Sequence, residues 1–243
     1  MRLPRIHHPA ALTSGARIEL SEEAANHLAR VLRLPAGAPL IVFNGEGGEY
    51  QAVILTLGKR GVSVEIGAFC PTEREAPLPM WLAQGISRGE RMDYTIQKAV
   101  ELGVSRLVPL FTERCTVQLD AARLAKRLQH WRGVAVAACE QCGRNRIPEI
   151  APALLLGEWL ARPAEGLRLV LDPEAEQSLT YLPAPDGPVI LLIGPEGGLS
   201  EQELRLAAQS NYRSLRLGPR TLRTETAAVA ALAAVLTRWG DFR

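Results

Sequence analysis

Apolar residues recur along this chain in two rhythms. In residues 21–33, Leu28, Val31 and Leu32 share one face of a helical period, and Ser21 stands as an N-cap before Glu22 and Glu23, which predicts a short helix. The pattern then changes to β-branched or alternating runs at residues 40–43, 50–57 and 62–66. Glycine-rich turns separate them at residues 44–48 and 58–61. This is a meander of hairpins suited to a small β-barrel. A polar, proline-rich stretch follows, so the expected division is a first domain at 1–72, a linker at 73–79 and a second domain at 80–243.

From Met80 onward short apolar strands (80–85, 106–110, 167–171, 189–193, 214–217) alternate with helical patterns (94–102, 120–138, 200–209, 224–238). The unbroken run Val189-Ile190-Leu191-Leu192-Ile193 suits a strand buried on both faces of a parallel sheet. The second domain is therefore expected to be α/β.

Composition narrows the function classes. The 243 residues are 47% hydrophobic and 22% charged, which excludes a largely disordered chain. A net charge of +2 is too small for bulk electrostatic binding of nucleic acid, so any anion site is local. Arginine outnumbers lysine 25 to 3, a bias that suits forked recognition of phosphate and that codon preference explains equally well. Neither a signal-peptide pattern nor a membrane-length apolar run is present, which makes a cytoplasmic location the expectation. Cys139 and Cys142 match C-x-x-C, but they end a helical pattern and lack a second Cys/His pair. Redox and zinc chemistry are therefore not indicated, and no metal site is expected.

In open parallel sheets ligands bind beyond the carboxyl ends of strands. The strand at 189–193 runs into Gly194-Pro195-Glu196-Gly197-Gly198-Leu199, then Ser200 and Glu203 form a capping box. Such a loop lets a ligand approach backbone N–H groups, and it also serves as a plain tight turn. The loop after residue 217 carries Arg220 and Arg223 behind Arg213 and Arg216, four cations with no acid across residues 213–224. Guanidinium forks there suit a phosphate or carboxylate. Thr224 is placed to cap the final helix. Dinucleotide and P-loop glycine motifs are absent. Gly85-Ile86-Ser87-Arg88-Gly89 fits a nucleophile elbow, but the only later histidine, His130, falls inside a helical pattern, which argues against a serine hydrolase.

Ile193-Gly194-Pro195-Glu196-Gly197-Gly198-Leu199-Ser200, followed by Leu217-Gly218-Pro219-Arg220-Thr221-Leu222-Arg223-Thr224-Glu225-Thr226-Ala227, resembles the paired C-terminal motifs of SPOUT methyltransferases. The nearest likeness is to the RsmE family of 16S ribosomal RNA uridine-N3 methyltransferases. It extends through Arg91-Met92-Asp93, Lys98, Glu101 to Val104, Pro109, Arg114-Cys115, Trp131 and Glu140 to Arg144, and N-terminally through Arg2 and residues 27–33. Arg88 stands where the family has lysine, and Cys142 where it has a small residue such as serine.

The resemblance implies a PUA-like barrel preceding an α/β SPOUT domain, a parallel sheet with a deep trefoil knot, in a homodimer. It implies S-adenosylmethionine as cofactor, held by Leu171, Ile193, Gly194, Pro195, Glu196, Gly197, Leu217, Gly218, Leu222, Arg223, Thr224 and Ala227. The reaction implied is methylation of a uridine N3 in 16S rRNA of the assembled small ribosomal subunit. Since N3 carries a proton, a base or a local field must favour its loss. Arg223 and Glu225 are the catalytic candidates, with Glu140 a second acceptor. Arg2, Arg88, Arg91, Arg114 and Arg144 are the expected RNA contacts. The alternative is a non-catalytic RNA-binding or ribosome-assembly protein with an inactive knot domain.

Overall fold

The computed structural model describes residues 3–58, 61–117, 120–163 and 165–242. They form two compact units: Met1–Glu75 with Cys139–Ile147, and Ala76–Ala138 with Pro148–Arg243.

The first unit holds β1 (Arg5–His7), β2 (Arg17–Glu19), α1 (Glu22–Asn26), β3 (Pro39–Phe43), β4 (Glu49–Gly58) and β5 (Gly61–Cys70). Its five strands lie in the order β1-β3-β4-β5-β2, with β1 parallel to β3 and the other pairs antiparallel. Alternation in the sequence becomes sidedness here. Val62, Val64 and Ile66 of β5 and Ala52 and Ile54 of β4 turn inward onto Leu28, Leu40 and Val42. The Ser21 hydroxyl caps α1 by accepting from the Ala24 N–H at 3.2 Å. The helix expected through residue 33 is shorter in its α-helical part, because the chain passes into a π-helical turn at His27–Val31. Strands β1 and β2, three residues each, are too short to leave a periodic trace.

The segment Cys139–Ile147 is sewn to this unit by buried polar contacts. The Arg5 guanidinium pairs with the Glu49 carboxylate and donates to the Arg144 carbonyl at 3.2 Å and to Asn145 Oδ1 at 2.5 Å. Burial opposes ionisation of Glu49, but the hydrogen bond and charge of Arg5 outweigh it and hold the carboxyl below its ordinary range.

In the second unit, β6 (Met80–Gly85), α2 (Glu90–Glu101), β7 (Arg106–Phe111) and α3 (Ala121–Cys142, its last turn counted with the first unit) are followed by β8 (Glu149–Ile150), β9 (Leu154–Leu155) and α4 (Leu156–Leu160). The chain ends with β10 (Leu167–Leu171), β11 (Val189–Ile193), α5 (Glu201–Gln209), β12 (Arg213–Leu215) and α6 (Thr224–Trp239). The sheet runs β12-β10-β11-β6-β7-β8, with β9 also on β7, and every pairing is parallel. All five residues of β11 are buried, as its sequence requires. Each such side chain contributes about 1.5–3 kcal/mol of burial, set against the entropy of ordering it. Because β12 returns on the far side of β10, the loops after β10, β11 and β12 emerge side by side at one edge of the sheet.

Candidate active site

The loop after β11 is shaped by close backbone approaches. A Cβ added at Gly194 would lie 2.9 Å from the Gly198 carbonyl carbon and the Leu199 nitrogen, so no larger residue fits that turn. The capping box closes as the sequence predicts, with the Ser200 N–H donating to Glu203 Oε2 at 2.9 Å. Buried Glu203 also accepts the Glu113 N–H at 2.8 Å, which ties the loop after β7 to the start of α5.

Thr224 does not cap α6. Arg223 occupies the N-cap position without a side-chain cap bond, and the Thr224 hydroxyl instead donates to the Gly194 carbonyl at 2.6 Å. Gln84, fully buried at the end of β6, donates from Nε2 to that hydroxyl at 2.9 Å and to the Gly85 carbonyl at 3.1 Å. Sequence reasoning missed Gln84. Its signal was a lone amide near the end of an otherwise apolar strand.

These loops enclose a cavity of about 670 Å³, within the usual size of small-molecule sites. All twelve expected cofactor residues line it: Leu171 after β10; Ile193, Gly194, Pro195, Glu196 and Gly197 after β11; Leu217, Gly218, Leu222, Arg223, Thr224 and Ala227 from the last loop and α6. Glu225, Arg91 and Arg114 line it too, as do Asp172 and Glu174, which the sequence did not single out.

Arg91 stands between two acids, 3.0 Å from Glu196 Oε1 and 3.9 Å from Glu225 Oε1. Glu225 Oε2 is buried and has no hydrogen-bond partner among the described residues. Burial works against ionisation of Glu196, yet the Arg88 N–H at 2.8 Å and the Arg91 guanidinium prevail and lower its pKa. Arg216, Arg220 and Arg223 line the cavity with exposed side chains, so the cationic loop sits at its rim.

The expected RNA contacts fare unevenly. The Arg88 guanidinium is exposed and makes no ion pair among the described residues. Arg91 is engaged as above, and Arg114 donates to the Gly197 carbonyl at 3.2 Å. Arg144 is a correction. It is only 3% exposed and donates to Glu75 Oε2 at 2.5 and 3.0 Å, because the fold uses its charge internally. Arg2 lies outside the described residues. Glu140 belongs to the first unit, where its carboxylate accepts the His7 N–H at 2.9 Å.

Ser87 is buried and donates to the Gly85 carbonyl, while His130 pairs with Asp93. All four cysteines are free, and burial pushes the Cys139 thiol up to about 12. Among the described residues there is no metal-binding cluster of His, Cys, Asp and Glu, and no helix long and apolar enough to cross a membrane.

The chain carries a parallel α/β unit with a glycine-walled cavity beyond its strand ends and a separate small β unit, and family comparison gives the class as RNA methyltransferases. Residues 74–236 match the RNA methyltransferase domain, and residues 20–67 the RNA methyltransferase PUA domain. The ribosomal RNA small subunit methyltransferase E of Buchnera aphidicola (Schizaphis graminum strain) is 36% identical over 99% of this chain and 98% of its own length. That of Bacillus subtilis is 29% identical over 89% and 88%. A putative methyltransferase from Legionella pneumophila, solved with bound S-adenosylmethionine, matches with a TM-score of 0.96 and 42% identity over the whole of both chains. The small subunit methyltransferase E of Neisseria gonorrhoeae, bound to the same molecule, gives 0.92 and 38%, again over both whole chains. The chain belongs to the ribosomal RNA small subunit methyltransferase E family, called RsmE.

Proposed function

We propose that this chain methylates RNA of the small ribosomal subunit using S-adenosylmethionine, and that the acceptor is N3 of one uridine. The observation that carries the reading is the convergence of Leu171 and two separate loop motifs, at residues 193–197 and 217–227, on one cavity of about 670 Å³, in a family whose relatives are crystallised with S-adenosylmethionine. The lining fits that molecule. Leucines and Ile193 offer apolar walls for a purine, and the Glu225 oxygen that has no partner among the described residues suits a cationic ligand. S-adenosylmethionine supplies an activated methyl group on a sulfonium.

The chain's own residues do the rest. The Gly194 to Gly197 and Leu217 to Thr224 loops orient the donor, so that transfer becomes an in-line displacement between held partners. Arg223 at the rim favours the anionic form of the uracil imide, and Glu225 accepts the N3 proton. Arg88 and the rim arginines hold RNA through placed forks, consistent with a net charge of only +2. The first unit is read as a PUA-like barrel that positions RNA. The second is read as a knotted SPOUT domain acting in a homodimer in the cytoplasm, with the domain division near residues 73–79.

Mass spectrometry of small-subunit RNA from a deletion strain tests the reading. Loss of a single N3-methyluridine, restored by the gene, is expected; unchanged RNA overturns it. Calorimetric titration with S-adenosylmethionine separates this function from the non-catalytic alternative, which predicts no binding.

A further inference from the structure

A second cavity, of about 270 Å³, opens among Ile86, Ser87, Arg88, Gly89, Thr116, Val117, Arg127 and Trp131. It adjoins the wall of the first. The Arg88 N–H is bonded to Glu196, and Cys115 Sγ, beside Thr116, donates to the Ile86 carbonyl at 3.4 Å. Its volume lies below that of sites for whole small ligands, and suits one group of a larger one.

Three independent features give it a chemical preference. Arg88 and Arg127 line it with exposed side chains, no carboxylate is among the lining residues, and neither arginine makes an ion pair among the described residues. Of the two acids in the first turn of α2, Asp93 is taken by His130 at 2.6 Å, and exposed Glu90 is not among the residues that line the cavity. Gly89, the N-cap of the twelve-residue helix α2, contributes no side-chain cap bond, so the first-turn N–H groups keep their pull on an anion. Trp131 is 2% exposed, and its indole Nε1 has no acceptor among the described residues. A buried donor left unpaired is destabilising. An arriving oxygen would remove that cost.

We propose that this cavity seats a backbone phosphate of the RNA beside the nucleotide being methylated, held by Arg88, Arg127 and the Trp131 N–H. The proposal rests on the RNA-methylation reading. It adds to that reading a place where the acceptor strand is fixed relative to the cofactor cavity, across the wall formed by Glu196 and the Ile86 to Gly89 turn. Arginine forks, a helix start and an indole N–H all recognise phosphate oxygens and carry no base preference, so the site positions RNA without reading its sequence.

The test measures binding of the full-length protein to purified small ribosomal subunits between 50 and 200 mM salt, alongside calorimetry with S-adenosylmethionine. Arg127→Ala is expected to weaken subunit binding about five- to tenfold and lower the salt slope by about one, with S-adenosylmethionine affinity retained. Trp131→Phe keeps the ring and deletes the orphan donor. It should leave the melting temperature equal or higher while weakening subunit binding severalfold, whereas a purely structural role predicts no binding change. Wild-type affinity and slope in either variant overturns the proposal. So does a shift from dimer to monomer on sedimentation with subunit affinity intact, which would give the cavity to a second copy of the chain. Failure of the wild type to bind S-adenosylmethionine would instead sink the methyltransferase reading itself.

Discussion

The hydroxyl of Thr224 donates to the carbonyl of Gly194 at 2.6 Å, pinning the first residue of the last helix to the glycine loop thirty residues earlier. Removing that bond should loosen both walls of the cavity at once. Thr224→Val leaves the buried Gly194 carbonyl without its strongest donor, and is expected to cost about 1–3 kcal/mol in urea unfolding. S-adenosylmethionine affinity should fall about tenfold by calorimetry, with Thr224→Ser restoring both. Unchanged affinity in the valine variant would show that the clamp does not shape the site.

Gly194→Ala drives a Cβ against backbone atoms at 2.9 Å, where no side-chain rotation gives relief. The expected result is destabilisation of about 1–3 kcal/mol and loss of measurable cofactor binding. Gly133→Ala is the contrasting substitution. It lies within α3 with nothing near its Cβ position, and should stabilise the protein by about 0.5–1 kcal/mol.

Glu225→Gln tests the proton acceptor. The amide preserves shape and removes charge and basicity, so single-turnover methyl transfer at saturating S-adenosylmethionine should slow by about 10²–10⁴, beyond whatever affinity for the cationic donor calorimetry shows to be lost. Arg223→Ala should lower the same rate or the RNA affinity. A wild-type rate in Glu225→Gln assigns the proton elsewhere.

Glu196 links stability to pH. Its folded pKa is lowered, so its contribution is present above the ordinary carboxylate pKa and is lost as pH falls through the folded value. Unfolding of wild type and Glu196→Gln between pH 3 and 7 should show a wild-type advantage near neutrality that vanishes in acid. A constant difference would mean the carboxylate charge is not what matters.

Glu140 runs the other way. Burial raises its pKa despite the hydrogen bond from the His7 N–H, so its contribution is full below the ordinary carboxylate pKa and lost as pH rises through the raised value. Glu140→Gln keeps an oxygen for His7. It should match or exceed wild-type stability at pH 7, with the gain gone at pH 4, as chemical unfolding at the two pH values would reveal.

Much of the cavity lining was legible because it lies in long runs. Residues 193–200 and 217–227 are contiguous, and every cofactor candidate read from them, with Leu171, lines the cavity. The expectation failed where a residue's partner is distant in sequence. Thr224 reads as a cap because local geometry allows it, but its hydroxyl bonds Gly194 and Gln84, which the sheet brings beside it. Arg144 reads as a surface cation, yet its partner Glu75 lies 69 residues away. The short strands β8 and β9 and the five-residue α4 escaped for another reason, since two to five residues carry no measurable period.

By itself the sequence determined what depends on local spacing: the β11 run, the capping box at Ser200, the alternation in β4 and β5, and the two motifs that mark the family. Tertiary structure alone decided what depends on long-range pairing. It set the strand order that lines up three loop ends, made Gln84 the buried link between β6 and α6, joined residues 139–147 to the first unit, and left the Trp131 donor without a partner among the described residues. The physical reason is that propensity and periodicity act between neighbours in the chain, whereas a buried hydrogen bond or charge is satisfied by whatever the fold brings within about 3 Å.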